Sequence, residues 1–310
     1  MSLPEVAIVI LNWNQAEETV ECLTSVKSLA YSNYRVVVVD NGSRDGSPVR
    51  ILEQCPWVEL IRNKRNVGFA EGCNTALRKL LESQTPYFLF LNNDAKIDSR
   101  CLTLLVDEME RKPEVGIVGA VNYSLTKPDL PWTCGHRFIW WSGTLERLLP
   151  PKEWKEPLFN IQSVSGSCFL VRRELFKKIG LFDERFFIYY EETDFCLKAK
   201  RAGFGVMVHR EASVWHEGSH TFGRRSAVEY YLFTRNHALC LMRHCPKGFL
   251  PSASVIYGLK TFLRCLLLIG RGQFREASAV SAGVWDACVG RFGEGRLAAF
   301  SQKGIGASDG

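Results

Sequence analysis

The sequence predicts an α/β fold, a mostly parallel sheet between helices, followed by a helical C-terminal region. Three observations carry this reading. Short apolar runs at residues 6–11, 36–39 and 87–91 alternate with longer, polar, helix-like stretches. Those runs are apolar at consecutive positions, the pattern of strands covered on both faces in a parallel sheet. Beyond Gly223 the pattern changes to long helical stretches with no further strand.

The elements follow in order. Residues 6–11 read as the first strand, and residues 17–29 as a crossover helix with Val20, Leu23, Val26 and Leu29 on one face. Residues 36–39 are the second strand. Residues 72–81 form the next helix, carrying Ala76, Leu77, Leu80 and Leu81. Residues 87–91 are the third strand, and Leu102 opens another helix. Residues 122–161 are rich in Trp, Pro and Gly and read as an irregular functional loop. Residues 164–173 form a small-residue bend feeding a strand. Residues 228–244 and 255–269 read as helices, and the Gly- and Ser-rich tail from 301 to 310 as frayed. The expected division is a catalytic unit over 1–225, with halves at about 1–120 and 121–225, and a helical region over 226–310.

A chain of 310 residues with 46% apolar and 23% charged residues is ordinary globular composition, long enough for an enzyme-sized core. A net charge of +6 without a Lys/Arg run argues against a nucleic-acid partner and suits a phosphate-bearing ligand or an anionic surface. The 11 cysteines include no C-x-x-C pair, which fits buried thiols in a reducing compartment better than a disulfide framework or a zinc site. No secretory signal is visible at the N-terminus, and Lys260 and Arg264 interrupt the greasiest stretch, so a membrane span is not expected.

In open α/β sheets, ligands bind beyond the carboxyl ends of the strands. Here the strand ends are polar: Asn12-Trp13-Asn14, then Asp40-Asn41-Gly42-Ser43, then Asn92-Asn93-Asp94. A carboxylate such as Asp40 can accept from a base or ribose, and equally can make an Asx turn that caps the next helix. Asp94 suits a hard divalent cation on a diphosphate, because such ions take oxygen ligands and need only one or two protein carboxylates. A helix cap is its alternative. The entry Asn63-Lys64-Arg65-Asn66-Val67-Gly68 leads into a helix whose N-terminal amides favour an anion. It is neither a P-loop nor G-x-G-x-x-G, which argues against a kinase or an ordinary dehydrogenase. Glu191, Glu192 and Asp194 place three carboxylates within four positions, where mutual repulsion raises at least one pKa toward the range of a general base. A solvated acidic first turn of a helix is the plainer reading. His216, after Val214-Trp215, is a metal ligand or a core histidine.

Taken in chain order, these segments resemble glycosyltransferase family 2. Residues 36–47 are similar to its second-strand signature, and Asn66-Val67-Gly68-Phe69-Ala70 with Asn74 to its N-x-G-x-A…N loop. Asn92-Asn93-Asp94 is similar to its D-x-D-type motif, Glu191-Glu192-Thr193-Asp194 to its E-D-x-D segment, and Trp215-His216 to its late metal-binding histidine. Residues 91–94, 187–201 and Trp215-His216-Glu217-Gly218 are most similar to the rhamnosyltransferase-like branch. The resemblance implies a GT-A fold and inverting transfer from a nucleoside-diphosphate sugar, dTDP-L-rhamnose in that branch. The acceptor it implies is a saccharide or lipid-linked saccharide of cell-surface polysaccharide synthesis. It implies Mg²⁺ or Mn²⁺ on Asp94 and His216, and Glu192 as base with Glu191 and Asp194 as rivals. Asn12, Asp40, Asn66, Gly68, Asn92, Asn93, Gly166 and Ser167 would hold the nucleotide sugar.

Two positions depart from the family pattern: Asn92 where many members carry Asp, and Glu192 where the base is often Asp. The expected location is the cytoplasm or the cytoplasmic face of the inner membrane. Phe262, Leu263, Leu266, Leu267 and Leu268, beside Lys260, Arg264 and Arg271, lie in a membrane interface or pack against protein, a homo-oligomer partner included. The segment from Trp132 to Trp154 is an acceptor surface or buried packing. A sugar nucleotidyltransferase and an inactive carbohydrate-binding protein are the rival readings. The first is disfavoured because Asn12-Trp13-Asn14-Gln15 is not a Gly-rich basic loop.

Overall fold

A computed structural model describes residues 3–151, 153–217 and 226–301. Gly218, the change of pattern at Gly223 and residues 302–310 of the tail lie outside them. The chain begins β1 (Val6–Asn12), α1 (Ala16–Lys27), β2 (Tyr34–Asp40), α2 (Ser47–Gln54), β3 (Glu59–Arg62), α3 (Phe69–Leu80) and β4 (Tyr87–Asn92). Then come β5 (Lys96–Ile97), α4 (Cys101–Arg111), β6 (Val115–Tyr123), β7 (Pro131–Thr133), β8 (Gly135–Ile139), β9 (Thr144–Leu148) and β10 (Leu158–Asn160). β11 (Cys168–Arg172), α5 (Arg173–Ile179), α6 (Glu191–Arg201) and β12 (Gly205–Trp215) complete the sheet region. The last helices are α7 (Ala227–His244), α8 (Leu250–Gly270), α9 (Phe274–Cys288) and α10 (Leu297–Phe300).

The main sheet runs β10-β12-β6-β11-β4-β1-β2-β3, with β5 on β12 and β7 on β6. Pairs β1–β2, β1–β4, β2–β3 and β6–β12 are parallel, whereas β11 is antiparallel to both β4 and β6. Alternate residues of the central strands feed two cores. Ile8, Val38 and Leu89 pack on one face with Leu23 of α1 and Leu105 of α4. Val9, Val37 and Phe90 pack on the other with Leu77 of α3 and Phe195 of α6. This is why the strands read as unbroken apolar runs: each residue has a covered face to enter.

Several expectations change. β3, β6 and β12 are strands the apolar-run pattern does not pick out, and α9 is an additional helix. Residues 122–161 are not irregular throughout, because they contain β7, β10 and the antiparallel hairpin β8–β9. α8 starts at Leu250 with a proline in its first turn, a position where the missing N–H costs nothing. It spans 21 residues with a mean hydropathy of 1.5 and is, by length and composition, long and apolar enough to cross a membrane. The 11 cysteines are free thiols.

Candidate active site

A cleft of about 450 Å³ opens over the carboxyl rim of the sheet. Asp94 and His216, 122 positions apart in the numbering of the chain, meet there with His216 Nε2 3.1 Å from Asp94 Oδ1. The sheet explains the meeting. β5, two residues past Asp94, pairs with the last residues of β12 through Ile97–Val214 and Lys96–Trp215. His216 follows at once and donates its backbone N–H to Tyr123 O at the end of β6. Asn92 Nδ2 lies 3.3 Å from His216 Nε2. Both members of the pair are largely sheltered, with side-chain exposures of 14% for Asp94 and 12% for His216. Among the described residues, no group of three or more His, Cys, Asp and Glu side chains converges.

Because β11 runs against its neighbours, its first residue lies at the same rim. Cys168 pairs with Leu91, and Asn92 donates its N–H to Ser167 O at 2.9 Å. Gly166 and Ser167 therefore line the cleft beside Asn92 and Asn93. Gly166 lies against Glu192: a Cβ there would sit 3.5 Å from Glu192 Cγ.

Asn66 and Gly68 also line the cleft. Gly68 has φ +89°, and a Cβ on it would come within 2.5 Å of Phe187 O, so this position admits only glycine without movement. The start of α3 is not an open anion site, contrary to the sequence reading. The N–H groups of Phe69 and Ala70 both donate to Phe187 O, and Arg65 is engaged by Glu294.

The three acids part company. Glu191 and Glu192 line the cleft, and Glu192 Oε1 accepts from Thr193 Oγ1 at 3.1 Å. Burial pushes Glu191 well above the ordinary carboxylate range, with repulsion from Glu192 adding to it, and Glu191 Oε2 has no hydrogen-bond partner. Burial also raises Glu192. Asp194 is corrected as a candidate base: it is fully buried, does not line the cleft, and binds Arg243 Nε at 2.9 Å, His244 Nε2 at 2.7 Å and Lys198 Nζ at 3.3 Å. Burial opposes its ionisation, but the His244 hydrogen bond and the surrounding cations prevail and hold its pKa at about 2.

Asn12 and Asp40 lie behind the cleft wall. Both are fully buried and absent from the cleft wall, and Asn12 Nδ2 donates to Asp40 Oδ1 at 2.9 Å. Asp40 Oδ2 accepts from Ser43 N at 3.2 Å in a local turn and does not cap α2, whose N-cap is Gly46. Among the tryptophans of residues 122–161, Trp132 lines the cleft, with the Arg147 guanidinium 4.5 Å above its ring. Trp140 stacks on Phe138, and Trp154 packs edge-on against Phe159.

Three side chains that build the cleft escape the sequence reading. Asn41 ties the loop that enters α3, donating to Asn66 Oδ1 at 2.9 Å and Gly68 O at 3.1 Å. Asn236 and Arg235 of α7 hold the turn that leads into Glu191. Phe187, Tyr189 and Tyr190 there have φ of 63°, 73° and 74°, a left-handed conformation that costs non-glycine residues of order 1–3 kcal/mol each. Asn236 Nδ2 lies 2.7, 2.8 and 2.9 Å from the carbonyl oxygens of Phe186, Ile188 and Tyr189. The fully buried Arg235 reaches Phe186 O at 3.2 Å and Gly293 O at 2.8 Å. A polar pair inside an otherwise helical stretch, Arg235-Asn236, is the only signal the sequence offers for it.

The parallel half-sheet β3-β2-β1-β4, the antiparallel β11 and the polar cleft at their rim define a GT-A nucleotide-sugar fold. Residues 7–180 match the family described as Glycosyl transferase family 2, and the chain belongs to that family. It is a glycosyltransferase. An N-acetylglucosaminyl-diphospho-decaprenol L-rhamnosyltransferase of Mycobacterium tuberculosis is 28% identical over 62% of this chain and 69% of its own length. A dTDP-rhamnosyl transferase, RfbF of Shigella flexneri, is 26% identical over 65% of this chain and 64% of its own. A mannosyltransferase of Pyrobaculum calidifontis, solved with GDP-Man and Mn²⁺, aligns over 93% of this chain and 88% of its own, with a TM-score of 0.57 and 16% identity.

Proposed function

We propose that this chain transfers a sugar with inversion from a nucleoside-diphosphate sugar to a saccharide or lipid-linked saccharide acceptor of a cell-surface polysaccharide. The observation that carries the reading is the convergence of Glu192 with the Asp94–His216 pair in one cleft. The relatives' names favour L-rhamnose from dTDP-L-rhamnose as the donor sugar.

One carboxylate and one imidazole, sheltered and in contact, fit a divalent cation that keeps several ligand positions for diphosphate and water. Asp94 and His216 would hold Mg²⁺ or Mn²⁺. Its chemistry would be charge stabilisation on the departing diphosphate. Asn66, the Gly68 backbone, Asn93 and Ser167 face the donor. Glu192, raised by burial and open to the cleft, takes the proton of the acceptor hydroxyl as that oxygen attacks the anomeric carbon. Asn41 lines the cleft, and Asn12 and Asp40 act one layer back, shaping the loops that touch the nucleotide. Trp132 and the stacked Tyr189–Phe233 pair, 4.3 Å between ring centres, offer aromatic faces to a sugar ring. A lipid-linked acceptor, as in the name of the mycobacterial relative, supports work in the cytoplasm or at the cytoplasmic face of the membrane.

A thermal-shift screen of nucleotide sugars with and without Mn²⁺ tests the reading, since a ligand of the native state raises the melting temperature. A metal-dependent shift with one donor class is expected, and it should vanish in Asp94→Ala. Equal shifts in wild type and Asp94→Ala would remove the metal role. No shift with any nucleotide sugar would remove the donor class.

A further inference from the structure

We propose that the outward face of α8 is a docking surface for an anionic lipid bilayer, with the helix lying in the plane of the interface. The inference is independent of which sugar is moved and of whether the acceptor carries a lipid.

α8 packs on the protein through Ala253, Thr261 and Leu268, its buried residues. The side facing away carries Val255, Leu259, Phe262, Leu266 and Ile269, which are 71%, 57%, 60%, 49% and 46% exposed. Their spacing of four, three, four and three residues keeps them on one stripe of a helix turning about 100° per residue. A surface helix in water carries polar side chains on that stripe and turns its apolar residues to the core. Here the packed side and the outward side are both apolar, so the outward side is built to meet something other than water.

Charge identifies the occupant. Between Cys245 and Arg275 the chain has Lys247, Lys260, Arg264, Arg271 and Arg275, and no Asp or Glu. All five are exposed. At that pitch Lys260, Arg264 and Arg271 lie about 140–180° round the helix from Val255, past the exposed Leu263 and Leu267 at about 80° and 120° and on the flank of the packed side, where Lys260 Nζ donates to Thr144 Oγ1. The long stems of Arg264 and Arg271 can lie along Leu263 and Leu267 while their charged ends reach phosphate headgroups. A span across the bilayer would bury Lys260 and Arg264 at mid-helix, where ionised groups are costly. An in-plane helix with a basic edge satisfies both groups of residues.

The test mixes the full chain with sedimenting vesicles of phosphatidylcholine alone or containing about 30% phosphatidylglycerol. Co-sedimentation with the anionic vesicles is expected, and it should weaken as salt rises. Phe262→Ser/Leu266→Ser should lower the bound fraction at least about tenfold with an unchanged melting temperature, because both sites are exposed. Arg264→Glu/Arg271→Glu should lose the preference for the anionic vesicles. The proposal is overturned if wild type stays in the supernatant with anionic vesicles, or if the Ser variant binds as tightly as wild type. It is also overturned if charge reversal changes nothing, or if the Ser substitutions instead break a concentration-dependent dimer of a chain that ignores vesicles.

Discussion

Replacing Glu192 by Gln keeps the volume of the side chain and removes its capacity to take a proton. Transfer is expected to fall about 10²- to 10⁴-fold with donor affinity retained, and single-turnover rates beside calorimetric titration of the donor check both halves. Burial raises the Glu192 pKa, and a base works only when ionised. The acid limb of kcat/KM should therefore lie above the usual carboxylate value of 4.5 and disappear in the Gln variant. A limb at or below 4.5 would reassign the base. Glu191 gives a separate result. Its pKa is raised in the folded state, so its contribution to stability is fully present below the unfolded value of 4.5 and is lost as pH rises. Glu191→Gln removes that penalty, and melting curves should show a gain at pH 8 that shrinks toward pH 4.5.

At the scale of elements, the turn before α6 is strained in itself and held from outside. Asn236→Ala leaves the carbonyls of Phe186, Ile188 and Tyr189 without their common donor. It is expected to cost about 1–3 kcal/mol of stability, and kcat should drop more than KM changes, because Glu191 and Glu192 follow that turn directly. Equal kcat at matched folded fraction would leave Asn236 with packing alone. The acids of α6 and the polar residues closing β1, β2 and β4 are legible in the sequence, since each follows an apolar run. Which of them face the cleft is not. Asp40 and Asp194 carry the same kind of signal as Asp94 and Glu192, yet backbone and cationic partners elsewhere in the fold claim them. β12 is hidden for a related reason. A register shift between His209 and Ser213 lets His209 Nδ1 accept from the N–H groups of Glu211 and Ala212, so polar residues interrupt a strand that is otherwise apolar.

For the molecule as a whole, the join between the sheet region and the last helices carries a charge cluster. Asp194 of α6 binds Arg243 and His244 of α7. Its pKa falls from 3.8 to about 2, so its stabilisation is complete above pH 3.8 and is lost as pH drops toward 2. A fall of that size corresponds to about 2 kcal/mol. Asp194→Asn should therefore destabilise at pH 7 and converge on wild type in acid, as denaturant titration at the two pH values would report. β1, β2 and β4 are legible as apolar runs, but the edge strand β3 and the reversed β11 are not, and antiparallel pairing leaves no mark on a strand covered on both sides.

The two-residue ladder between β5 and β12 has a consequence for how the catalytic rim breathes. The backbones that carry Asp94 and His216 stay together while Ile97–Val214 and Lys96–Trp215 remain paired, so these few pairs serve as a hasp on the rim. So short a hasp is among the first parts of a sheet to open transiently. Donor and cation bound together would keep it shut, and slower deuterium uptake over residues 94–97 and 213–216 on donor binding would record the closure.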